Sequence, residues 1–129
     1  AGYDLKVVVD VKPQSTAYLV PLGVKARMVR ILNDKEEDCH FSLEPRSSIY
    51  KYNYMMANGR GVIDRSYRGQ LMAPLLAVGD PSKFVCVEAG TRLFQIVAPD
   101  MGYIKEVHYV SELSETARGE GGFGSTGTK

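Results

Sequence analysis

The stretch Gly61-Val62-Ile63-Asp64-Arg65-Ser66-Tyr67-Arg68-Gly69 sets a carboxylate shortly before a phenol ring, between glycines. A carboxylate fixed beside an aromatic face can orient a water molecule and pack a sugar. Asn58-Gly59 just upstream favours a tight turn, so the stretch reads as a hairpin with an acid and an aromatic at its exit. An ordinary hairpin with a surface Asp is the other reading, and these residues alone do not choose between the two. Glu44-Pro45-Arg46-Ser47-Ser48 offers a guanidinium and two hydroxyls after an apolar run. Arg is a forked donor and Ser adds neutral hydrogen bonds, a combination suited to phosphate oxygens, although Arg–Ser turns are common without that role. In Thr91-Arg92-Leu93-Phe94-Gln95-Ile96-Val97, Arg92 and Gln95 interrupt apolar residues and either face solvent or reach a ligand. Residues 118–129 hold five of the thirteen glycines, with Arg118, Phe123 and Ser125 among them. Such a tail serves as a linker, or as a mobile arm that closes a cation, an aromatic face and a hydroxyl over a ligand.

Metal chemistry by protein ligands alone is poorly served. Cys39, Cys86, His40 and His108 show no ligand spacing beyond the adjacent Cys39-His40, whereas a zinc site needs three or four convergent ligands. The two cysteines read as buried reduced thiols.

These residues need a scaffold, and the rest of the chain describes one. The 129 residues carry no composition break before the last dozen, which predicts one β domain over 1–117 and a glycine-rich arm over 118–129. Sixteen basic against fifteen acidic residues give a net charge of +1. That balance is unlike the one-sided charge of a nucleic-acid binder, so phosphate recognition must come from placed groups. No apolar run approaches the roughly 18–20 residues that span a bilayer, and no signal peptide is visible, so no nucleic acid or membrane partner is expected and a soluble, intracellular protein is.

Short apolar runs alternate with Pro, Gly and Asn-Asp. Strands are predicted over Leu5–Val11, Ala17–Val20, Val24–Leu32, His40–Leu43, Leu71–Val78, Phe84–Val87, Leu93–Ala98 and Ile104–Val110, with at most a short helix within Ser48–Tyr54. The charged run 34–38 reads as a solvated loop. Many short strands and no long 3.6-residue periodicity predict an all-β protein, a sandwich, barrel or jelly roll.

Taken together, the segments resemble the trimeric dUTPase family. Ala1-Gly2-Tyr3-Asp4-Leu5 is similar to its first motif, Pro45-Arg46-Ser47-Ser48 to its second and Asn58 through Gly69 to its third. Gly90 through Val97 is similar to the fourth, and Arg118 through Gly127 to the fifth. All five occur in order; the third and fifth are the specific ones. Ser48, Ser66, Thr91 and Phe94 depart from residues common in the family.

The resemblance implies an antiparallel jelly-roll protomer, a homotrimer with shared sites, and magnesium-assisted hydrolysis of dUTP to dUMP and pyrophosphate. Such an activity limits uracil in DNA and supplies dUMP for thymidylate synthesis. By motif position, Asp64 binds the sugar 3′-hydroxyl and orients the attacking water, and Tyr67 packs on the deoxyribose. Backbone groups around Asn58, Gly61 and Ile63 read uracil. Arg46, Ser47 and Ser48, with Gln95, hold phosphates. Asp4 touches Mg2+ through water. Phe123 covers the uracil, with Gly124 a further substrate-binding residue, while Arg118, Ser125 and Thr126 hold terminal phosphates. A dCTP deaminase shares the fold and an Arg-Ser-Ser stretch, but its glutamate after the third-motif hairpin has no counterpart between Arg65 and Val87. A non-enzymatic regulator on the same fold is the other alternative.

Overall fold

A computed structural model of the chain describes residues 1–121. Nine strands follow one another: β1 (Tyr3–Lys6), β2 (Tyr18–Lys25), β3 (Met28–Leu32), β4 (Lys35–Cys39), β5 (Phe41–Pro45), β6 (Tyr54–Met56), β7 (Gly61–Ile63), β8 (Gln70–Ala77) and β9 (Arg92–Val97). The helical content of the described residues is two short 3₁₀ turns, Ser47–Tyr52 and Pro81–Lys83.

The strands form three antiparallel groups, in the orders β1-β9-β5-β7, β2-β8-β6 and β3-β4. Alternation explains how the two larger sheets pack. In β8, Leu71, Ala73 and Leu75 point inward; in β6, Tyr54 and Met56 do, with Met55 outside. They meet Leu5, Leu43, Ile63, Phe94 and Ile96 from the first sheet in one core. The result is an all-antiparallel, jelly-roll-like sandwich, as the spacing of turn residues predicts. Strand β5 is buried at Phe41, Ser42 and Leu43 alike, as befits a central strand covered on both faces.

Several expectations need correction. The charged run is not a loop: Lys35–Cys39 is a strand paired with Met28–Leu32. Asn33 and Asp34 both take left-handed φ angles, 52° and 63°, the conformation a two-residue hairpin turn requires. Arg30 then faces Glu37 directly across the ladder at 3.1 Å. The run predicted over Val24–Leu32 divides between β2 and β3. The strand predicted over Leu5–Val11 ends at Lys6; Val11 keeps only an isolated bridge to Val87, and Phe84–Val87 forms no strand of its own. Ile104–Val110 has no ladder partner among the described residues. Asn58-Gly59 does turn the chain, with Gly59 at φ +70°, but it joins two sheets rather than closing a hairpin, since β6 pairs with β8 and β7 with β5. Both cysteines are free as expected, yet Cys86 is exposed and Cys39 only partly buried. Among the described residues no helix is long and apolar enough to cross a membrane.

Leu75 is fully buried in β8, between the two neighbouring strands of its sheet. Leu75→Ala is expected to lower unfolding free energy by about 2–5 kcal/mol in urea denaturation, the range for a truncation that leaves a cavity. A loss below about 1 kcal/mol would show that this core can collapse around the gap.

Candidate functional site

Two groups of candidate residues gather at two separate places. At one, β1, β9 and β5 lie side by side, with Asp4 opposite Gln95 and Gln95 opposite Glu44. Just beyond β5, the Arg46 Nε lies 3.2 Å from Asp4 Oδ1, and its Nη1 donates to the Arg92 carbonyl at 3.2 Å. Both partners of this ion pair are about one-third exposed, so it holds Arg46 in place more than it stabilises the fold. The Gln95 amide donates to the Pro45 carbonyl at 3.0 Å. Gly2 permits the close approach, because a Cβ there would lie 2.7 Å from the Gln95 amide carbon. Ser47 and Ser48 open the 3₁₀ turn beside Arg46, Ser47 exposed and Ser48 partly buried.

At the second place, β7 pairs antiparallel with β5, Ile63 opposite Phe41 and Gly61 opposite Leu43. Gly61 and Ile63 are buried and Asn58 is exposed on the preceding turn. Asp64 leaves β7 at the Phe41 end of β5, while Arg46 leaves β5 at its Pro45 end. Strand rise puts about six residues, roughly 20 Å, between the two positions. One chain therefore does not bring Asp64 together with Arg46, Gln95 and Asp4.

Asp64 is 61% exposed at its side chain and accepts a charge-assisted bond from Arg118 Nη1. The Arg118 guanidinium also lies 5.4 Å from the centroid of the Tyr67 ring, within cation–π range, and its Nε donates to the Gly121 carbonyl. Neighbouring contacts hold this segment: Gly119 bridges Tyr67, Thr116 donates to the Ser66 carbonyl, and Lys25 pairs with Glu120, holding that carboxyl below its usual range. Phe123, Gly124, Ser125 and Thr126 lie outside the described residues.

Tyr67 is buried, and its hydroxyl donates to the Gln70 carbonyl at 2.7 Å. Burial raises its pKa, with the nearby Arg118 cation opposing, so the phenol stays protonated and the bond to Gln70 persists at neutral pH. Gly69 makes this packing possible: a Cβ there would stand 2.6 Å from Tyr67 Cζ. Sequence reasoning assigned no role to Gly69 or to Arg68. The Tyr-x-Gly spacing was a signal for the glycine, whereas nothing in the sequence marks Arg68 as buried. Gly69→Ala is expected to cost about 1–3 kcal/mol in chemical denaturation, as small-to-large changes in packed sites do; unchanged stability would mean the ring moves aside freely.

Comparison with known proteins follows the same outline. The dUTPase family model matches residues 1–127. The deoxyuridine 5′-triphosphate nucleotidohydrolase of Leptospira interrogans serovar copenhageni is 37% identical over 132 aligned residues, covering 98% of this chain and 84% of that protein. The dUTPase of Streptococcus mutans superposes with a TM-score of 0.60 at 33% identity, covering 75% of each chain. A Staphylococcus bacteriophage 80alpha dUTPase, solved with dUpNHpp, gives 0.56 over 99% of this chain and 86% of that one; at 22% identity it speaks for the fold alone. With a family model spanning nearly all of its residues, the chain is an enzyme of the dUTPase family.

Proposed function

We propose that the chain hydrolyses dUTP to dUMP and pyrophosphate at sites shared between the subunits of a homotrimer. The observation that carries this reading is the separation of the two residue groups by the length of β5. An acid that activates water at the α-phosphorus and an arginine that holds the phosphates must act on one nucleotide. Set roughly 20 Å apart in one chain by strand rise, they meet when one protomer contributes Asp64 and Tyr67 and a neighbour contributes Arg46, Ser47, Ser48 and Gln95. Further support comes from residues 101–110, where Met101, Tyr103, Val107, Tyr109 and Val110 are exposed, an apolar stretch of the kind that neighbouring subunits cover. The relatives' names supply the substrate.

In this scheme Asp64 accepts a proton from water as its oxygen attacks the α-phosphorus, and the bond to the bridging oxygen of pyrophosphate breaks. The Asn58–Ile63 backbone reads uracil, and Tyr67 packs against the deoxyribose and leaves no space for a 2′-hydroxyl. In the free chain Arg118 occupies Asp64; a triphosphate offers that guanidinium a stronger anion and leaves the carboxylate to the water. Residues 118–129 would form the closing arm, with Phe123 over the base and Ser125 and Thr126 on the phosphates.

Magnesium fits the donor set only as a substrate-borne ion. No group of three or more His, Cys, Asp or Glu among the described residues could hold a metal. Mg2+ keeps several waters and binds phosphate oxygens readily, so Asp4, the carboxylate beside Arg46, would hold it through water. When bound, the ion neutralises triphosphate charge. Removal of dUTP would limit uracil in DNA, and the product dUMP would feed thymidylate synthesis.

Asp64→Asn preserves shape and removes the base. Turnover, followed by pyrophosphate release, is expected to fall on the order of 10²–10⁴-fold with nucleotide binding retained. Wild-type turnover in this variant would remove Asp64 from the role. The unaltered enzyme is expected to prefer dUTP strongly over dTTP, dCTP and UTP, and comparable rates on any of them would contradict the proposed pocket.

A further inference from the structure

Among the described residues, Arg68 is the one buried charged side chain, 6% exposed. Burying a guanidinium is costly unless its donors are matched, and here each has an acceptor. Nε donates to the Ser114 carbonyl at 2.8 Å. Nη1 donates to the carbonyls of Arg65 at 2.8 Å and Tyr67 at 3.1 Å, and Nη2 reaches Asp38 Oδ2 at 3.5 Å and Ser114 Oγ at 3.4 Å. The backbone explains the arrangement. Residues 64–69 lie between β7 and β8 and belong to no ladder, so their carbonyls need other donors. The Asp64 carbonyl takes the Tyr67 N–H at 3.0 Å, and the Ser66 carbonyl takes the Thr116 hydroxyl. The carbonyls of Arg65 and Tyr67 are both taken by one nitrogen of Arg68.

We infer that Arg68 is a positioning residue for the reaction: its guanidinium fixes the 64–67 turn, and through it the Asp64 carboxylate and the Tyr67 ring. This rests on the roles proposed above for Asp64 and Tyr67. The same fork ties the turn to β4 through Asp38, whose other oxygen is held by Arg27 Nε at 2.5 Å. It also ties the turn to Ser114, four residues before Arg118. A lysine could carry the charge but not the planar fork, so it could not hold Arg65, Tyr67 and Ser114 together. Loss of the fork loosens the base and the ring relative to bound nucleotide, whose uracil and phosphates are held elsewhere. The penalty therefore falls on turnover and on sugar discrimination more than on dUTP affinity.

The test compares Arg68→Gln and Arg68→Lys in the full chain, using kcat and KM for dUTP and the ratio of kcat/KM for dUTP over UTP. Both variants are expected to lose about 10–100-fold in kcat with KM changed less than about 3-fold, and to lose part of their preference for dUTP. Should Arg68→Gln fail to fold, Arg68→Lys, which keeps the charge in place, carries the comparison. A folded variant with lowered melting temperature but unchanged kcat and unchanged dUTP preference would overturn the inference and leave Arg68 a purely structural residue. Asp64→Asn is run alongside to separate the two readings. If it is inactive, the kcat of the Arg68 variants decides the inference. If it is fully active, the base role fails, and the dUTP-to-UTP preference alone decides whether Arg68 positions Tyr67.

Discussion

Strand β5, only five residues long, pairs antiparallel with β7 on one side and β9 on the other. That double register constrains everything else about the site. It aligns Asp4, Gln95 and Arg46 at the Pro45 end, and it sends Asp64 out at the Phe41 end. A one-residue slip would turn Leu43 and Ile63 out of the core, so burial of these residues locks the separation. On the proposed reading, association between chains follows from this spacing: a strand that divides two halves of a site within one chain obliges them to meet across an interface.

Around Tyr67 the constraint is local. Gly69 admits the ring, the Gln70 carbonyl holds the hydroxyl, and the Arg68 fork occupies the Arg65 and Tyr67 carbonyls. Arg118 then sits between Asp64 and the ring face. The acid is exposed while the aromatic is buried. On the proposed reading, that difference suits a carboxylate that meets water and a ring that presents a fixed surface.

Much of this was legible in the sequence, for physical reasons that can be named. Short apolar runs at Leu71–Leu75 and Leu93–Val97, set between Gly and Pro residues, mark strands. The order of the five motifs identified the family, because Asp64, Tyr67 and the glycine-rich tail recur at recognisable spacing. Charge misled the reading at 34–38, where ions pair across a ribbon rather than dissolve in a loop. Pairing was illegible at Asn58-Gly59, since a turn signal does not say which strands it joins. Nor does an apolar period supply a partner for Ile104–Val110, which has no ladder partner among the described residues. The burial of Arg68 was invisible too, because it depends on carbonyls brought together by the fold rather than on its neighbours in sequence.

The shared site can be tested most directly by complementation. Asp64→Asn and Arg46→Ala chains are each expected to be nearly inactive alone, and are unfolded together in equal amounts and refolded as mixed trimers. If each nucleotide is served by Asp64 of one chain and Arg46 of another, random assembly restores about one quarter of wild-type turnover, because a closed ring pairs one intact Asp64 with one intact Arg46 at that frequency. If both residues act from the same chain, every site carries a lesion. The refolded mixture would then be no more active than its components, which would contradict the account.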